Sequence, residues 1–94
     1  MNQLEIITLP TDPSRLAGLV EFLDTIGRSA ICAPECTRFE IFAGAERDTV
    51  LVTVLWKSAA DHQAAVQRPD VGAFFGGLEP FLAGAPRIEQ FDAA

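Results

Sequence analysis

The sequence predicts a single α+β domain over residues 1–94: a four-stranded antiparallel sheet with helices on one of its faces. Three observations carry that reading. Segments with apolar periods of 2 and 3.6 alternate in the order β-α-β-β-α-(α)-β, with turn residues between them. The run "TVLVTVLW" at 49–56 is apolar on both faces, so each face of the sheet needs cover. A chain of 94 residues with 49% apolar side chains, seven of them Phe, can build one modest core and has apolar surface left over.

The elements follow in order. "QLEIITL" (3–9) alternates weakly and contains Ile6, Ile7 and Thr8, which suits a strand that Pro10 stops. "TDPSRLAGLVEFLDTIGRS" opens with Asp12 as N-cap and Pro13 at the first helical position, then sets Leu16, Leu19, Val20, Leu23 and Ile26 at helical spacing. A loop over "AICAPEC" leads to the strand "TRFEIFAG", with Phe39 and Ile41 on one face and Arg38 and Glu40 on the other. "GAERD" turns into the strand at 49–56, which ends at the only tryptophan, Trp56. Ser58 caps a short helix, "AADHQAAVQ", with Asp61 completing the S-x-x-D variant of the capping box, and Pro69 closes it. "DVGAFFGGLEPFLAG" puts Phe74, Phe75, Leu78, Phe81 and Leu82 on one stripe of a helix broken by Gly76, Gly77 and Pro80. "APRIEQFDAA" supplies the last strand.

This order is the split βαβ of ferredoxin-like domains. Helices on one side leave the other side of the sheet bare, and a bare face this apolar is expected to pair with the same face of a second copy, giving a homodimer.

Thirteen acidic against seven basic residues give a net charge of −6, which argues against partners with phosphate backbones or anionic membranes. No segment has the form of a signal peptide or the length of a membrane span, so the expected location is the cytoplasm. Cys32 and Cys36 are too few for a disulfide framework and lack the paired CxxC spacing of a zinc site; they are expected as reduced, structural thiols. With a single histidine, His62, a metal site has little to be built from.

Several stretches carry a resemblance. "APECTRFEIF", through Pro34, Cys36, Phe39 and Ile41, "TVLVTVLWKS", and "RPDVGAFFGGLEPFL", through Pro69, Val71, Phe74, Leu78, Pro80 and Leu82, are similar to motifs of the antibiotic biosynthesis monooxygenase superfamily of dimeric α+β barrels. The resemblance implies a homodimer that oxidises a small aromatic or quinol-like ligand with O2, with neither metal nor flavin as cofactor. It also implies a catalytic pair: His62 as base or hydrogen-bond donor, and Trp56 as stacking partner or indole N–H donor.

The departures from the pattern are specific. Val54 stands where members commonly have Glu, and Ala65 where they commonly have His. In the quinol-oxidising branch, Trp56 matches the Trp, His62 takes a Tyr position, Val52 replaces an Asn and Gly76 lies near an Arg. Val66 occupies the place of the proximal His of the haem-degrading branch, which sets haem degradation aside.

The spacing puts His62 on one helix face with Ala59 and Val66, directed toward the sheet, and Asp61, Ala64, Ala65 and Arg68 on the other side. A near-neutral pKa makes His the natural base or donor toward a phenol. Phe74, Phe75, Leu78 and Phe39 are the expected substrate-binding residues, and the glycines at 76 and 77 the expected source of an aromatic-lined cavity. Arg15, Arg28, Arg47 and Arg87 read as surface charges, and Arg68, which follows a helix, as a cap for its carbonyls. Two other readings compete: a non-oxygenase binding or isomerising protein on the same barrel, and a partner-binding module with a vestigial pocket.

Overall fold

Strand β3 (Thr49–Trp56) lies inside the sheet, with β2 (Cys36–Ala43) on one side and β1 (Gln3–Pro10) on the other; β4 (Arg87–Asp92) pairs with the far edge of β1. All pairings are antiparallel and the order is β2-β3-β1-β4. A computed structural model describes residues 2–32 and 34–94 of the chain. The register sets Gln3 against Trp56, Glu5 against Val54, and Trp56 against Cys36. Because cross-strand partners share a face, Ile7, Leu9, Val50, Val52, Val54, Trp56 and Phe39 all turn inward and are buried under the helices. The ferredoxin-like arrangement is the one expected.

The opposite face is less deeply buried among the described residues. Its middle carries Leu4, Ile6, Leu51 and Leu55, with Phe42 and Phe91 exposed beside them on the outer strands.

The first helical stretch runs from α1 (Leu16–Phe22) through a π-helical turn (Leu23–Gly27) into α2 (Arg28–Ile31). Asp12 organises its start. Its side chain accepts from the backbone N–H of Ser14 and Arg15, and regular helix begins only at Leu16. The π turn inserts extra chain per turn and shifts the phase of the apolar stripe. Ile26, expected inside, is therefore 52% exposed, and Gly27 is buried in its place, where a Cβ would meet the Phe74 ring at 2.8 Å. Helix continues to Ile31, so the expected loop over 30–36 is shorter; Ala33, within it, lies outside the described residues.

Helix α3 (Ala59–Val66) begins at Ser58 as expected: the Ser58 hydroxyl accepts from the Asp61 backbone N–H at 3.0 Å. Pro69 does not close a helix but opens one. It is the first residue of α4 (Pro69–Leu78), where its missing N–H costs no hydrogen bond. A single 3-10 turn (Glu79–Phe81) follows.

The expectation about thiols is corrected. Cys32 and Cys36 form a disulfide; the turn between helix end and strand start brings their Cα atoms to 5.0 Å, within bonding range. Arg15 and Arg28 lie at the surface, as expected, and are tied down there. Arg15 donates to the carbonyls of Pro80 and Leu82, and Arg28 to that of Phe39, whose ring its guanidinium covers at 5.1 Å. No described helix is long and apolar enough to cross a membrane.

Candidate functional site

Three elements bring a polar cluster together under the helices. The inward parity of β1 delivers Gln3 and Glu5, two residues apart on the same face. β3 ends at Trp56, and the Ser58 cap turns the chain so that the second turn of α3 passes back over that strand end. His62 thereby lies flat on the indole, with ring centroids 4.6 Å apart and planes within 7°. Glu5, Trp56 and His62 are only 5%, 2% and 4% exposed.

Hydrogen bonding knits the four side chains. The Trp56 indole N–H donates to Glu5 Oε1 at 3.4 Å, and Glu5 Oε2 stands 3.4 Å from His62 Nε2. The other ring nitrogen, His62 Nδ1, is 2.6 Å from Gln3 Oε1. Gln3 in turn donates through Nε2 to Asp92 Oδ1 on β4 at 3.2 Å. Among the described residues no buried side-chain polar atom is left without a partner.

Burial raises the Glu5 carboxyl above its ordinary range; facing His62 and accepting from Trp56 offset this only in part. A carboxylate in this position, with no Arg or Lys bonded to it, keeps its charge only at a desolvation cost, so a nearby proton is held strongly. Such a group can take a proton from a weak acid and return it.

The expected apolar residues occupy two places. Phe74, Leu78 and Phe39 are buried in the core, and Phe75 is half-buried. Phe74 stacks on Phe22 and meets Phe75 edge-on. Phe75 and Leu78 also line an open groove of about 570 Å3 with Glu79 and Leu82, and Phe74 lines another of about 380 Å3 with Phe22, Ile26 and Gly77. A third groove, about 720 Å3, runs between α1 and β2 past Leu16, Val20, Arg28 and Ile41. None of these three includes His62 or Trp56.

The glycines do not open a cavity. Gly77 admits the Phe22 ring, which a Cβ would strike at 2.7 Å, and Gly76 faces open space. On α3 the buried pair is His62 and Ala65, three residues apart, while Val66 faces outward; the inward stripe of so short a helix is one side chain wide.

Gln3 and Glu5 are the members that periodicity alone passed over. The available signal was a carboxylate at the same parity as Ile7 and Leu9 in an apolar strand. Glu5 also lies directly across from Val54, the position where the resemblance looks for glutamate. The Cys32–Cys36 disulfide borders the cluster, since Cys36 pairs with Trp56. Arg68, expected as a cap for the helix before it, instead bonds Glu35 and the Ala30 carbonyl, tying α4 to the end of α2.

No family model matches the chain, and no curated protein matches it in sequence. Solved structures share its fold. A monooxygenase from the gene ActVA-Orf6 of Streptomyces coelicolor, in complex with nanaomycin D, superposes with a TM-score of 0.87 at 19% identity, over 99% of this chain and 88% of that one. A proposed antibiotic biosynthesis monooxygenase from Caulobacter crescentus gives 0.85 at 21% identity over 99% and 90%. Rv0793 from Mycobacterium tuberculosis gives 0.84 at 11% identity over 100% and 96%.

Proposed function

We propose that this chain, built on the fold of antibiotic biosynthesis monooxygenases, is a homodimer in which each copy binds a small aromatic, quinol-like molecule and oxidises it with O2. The observation that carries the reading is the buried Glu5–His62–Trp56 cluster, an acid/base pair backed by an indole at the end of a central strand. The Streptomyces neighbour, which holds nanaomycin D, supports a small organic ligand.

In the reaction proposed, His62 takes a proton from a phenol or from a CH2 group flanked by aromatic rings. The anion passes one electron to O2, the radical pair combines to a C–O–OH peroxide, and loss of water leaves a carbonyl: CH2 plus O2 gives C=O plus H2O. Trp56 stacks against the ligand or donates to it. Phe75 and Leu78, which line a groove apart from His62 and Trp56, would extend the apolar wall of the ligand site, with Phe74 and Phe39 behind them. All of this chemistry is open to an organic substrate without metal or flavin.

One observation favours a second reading on the same barrel, a binding or isomerising protein. The polar atoms of the cluster already satisfy each other, which leaves few free donors for an oxyanion, while a proton-holding pair suffices for isomerisation.

Oxygen uptake by the purified protein with a panel of polycyclic quinols and anthrones separates the two. Uptake above background, lowered at least about 100-fold in a folded His62→Ala variant, is expected for loss of a general base. Proton exchange or isomerisation without O2 consumption would leave the second reading in place of the first.

A further inference from the structure

The hydrogen bonds around His62 fix more than its orientation. The Asp92 carboxylate can only accept, so the Gln3 group facing it at 3.2 Å must be the amide N–H. Gln3 Oε1 is then the atom that meets His62 Nδ1 at 2.6 Å, and an amide oxygen also only accepts. His62 Nδ1 must therefore carry a hydrogen. The other nitrogen, Nε2, faces Glu5 Oε2 at 3.4 Å, and between these two atoms one proton belongs. It sits on Nε2, giving an imidazolium beside a carboxylate, or on Glu5, giving a carboxylic acid that donates to a neutral ring. If it leaves, a lone pair and a carboxylate face each other.

We infer that Glu5 and His62 act as one acid/base unit holding a single exchangeable proton, and that Gln3, clamped across the sheet by Asp92, is the positioning residue that sets the histidine tautomer. In its deprotonated state the unit has the Nε2 lone pair and the Glu5 carboxylate converging on one proton site, which suits a proton from a weakly acidic hydroxyl or enolisable C–H in the ligand. The use of the unit on a ligand rests on the function proposed above; the tautomer and the shared proton do not.

The groups facing the pair are Trp56 from β3, Gln3 from β1, Asp92 from β4 through Gln3, and Gln90 from β4 as the cross-strand neighbour of Glu5. On α3 itself, Asp61 is turned to Ser58 at the helix start, and Cys36 of β2 is held in its disulfide. No Lys or Arg among the described residues bonds to Glu5, so the charge balance is internal to the pair. Burial acts in the same direction, raising the carboxyl toward the range where it holds a proton. Because the two sites interact strongly, the proton comes off with an apparent value that belongs to both.

His62 is the only histidine of the chain, so the test is direct. Long-range 1H–15N correlation on ring-labelled protein reports which nitrogen carries hydrogen at each pH, with no assignment needed. Expected for the wild type is a protonated Nδ1 throughout, with only Nε2 changing as pH rises. In Glu5→Gln the response of the Nε2 signal to pH should differ from that of the wild type, because the ring loses the carboxyl group with which it shares a proton. In Gln3→Met the neutral ring should turn over to Nε2–H, since Glu5 becomes its remaining acceptor. Asp92→Ala, an exposed change on an edge strand, should give a mixture of tautomers because Gln3 is free to flip.

A neutral Nε2–H tautomer in the wild type would overturn the inference, and so would an unchanged pattern in both Gln3→Met and Asp92→Ala. The readout needs neither ligand nor O2, so absence of oxygenase activity with the expected nitrogen pattern would remove the function proposed and leave this assignment standing.

Discussion

A carboxyl group buried against a histidine and an indole makes the fold sensitive to pH in a direction opposite to most acidic side chains. Glu5 in the folded chain binds its proton more tightly than the ordinary value of 4.5, so above that pH the unfolded chain holds fewer protons than the folded one. Its contribution to stability is full below about 4.5 and is lost as pH rises through the raised folded value. Asp12 behaves in the ordinary way: Ser14 and Arg15 hold it down at about 2, so its contribution is present at neutral pH and lost on strong acidification. Thermal melts of Glu5→Gln and wild type across this range should therefore diverge, the variant gaining relative stability as pH rises above 4.5. Parallel curves would mean that Glu5 does not carry the burial penalty. His62 and Trp56 were legible in the sequence as the single members of their types on adjoining elements; that they stack was not, because contact depends on the capped turn at Ser58.

At the scale of elements, patterning located every strand and every main helix, because period-two and period-3.6 signals survive in a single sequence. It missed what depends on packing between helices. The π turn at Leu23–Gly27 has no local signature; it places Gly27 under Phe74 and turns Ile26 out. Cysteine spacing gave no geometry, since bonding range at Cys32 and Cys36 is set by how the end of α2 turns into β2. The glycine pair in α4 shows the same limit. From propensity both residues weaken the helix equally, yet one faces open space and the other an aromatic ring. Gly76→Ala is expected to stabilise the chain by up to about 1 kcal/mol. Gly77→Ala must displace Phe22 and its stack on Phe74, and should destabilise by about 1–3 kcal/mol less the propensity gain. Chemical denaturation of the two variants checks both signs, and equal effects would contradict the packing described.

For the whole molecule, the two faces of one sheet divide the work. The inner face builds the core and delivers the buried cluster, while the outer face presents Leu4, Ile6, Leu51 and Leu55, which stay only half-buried. A second copy set face to face would close a barrel and remove that surface from water, as in other two-fold assemblies. Light scattering at micromolar concentration is expected to give twice the chain mass of 10.1 kDa, and Leu55→Lys, a charge on a central strand of the outer face, should reduce it to one chain. The functional claim concerns the inner face, and the chain carries its own probe there, since Trp56 is the only tryptophan. The most direct measurement is an anaerobic titration of its fluorescence with a hydroxylated naphthalene, where binding is separated from turnover. The account expects saturable quenching in the wild type that is weakened at least about tenfold in folded Glu5→Gln and His62→Ala variants, in keeping with loss of a charged hydrogen-bond partner. Emission that does not change, or that falls by the same unsaturable amount in all three proteins, would contradict the placing of a ligand site beside Trp56, His62 and Glu5.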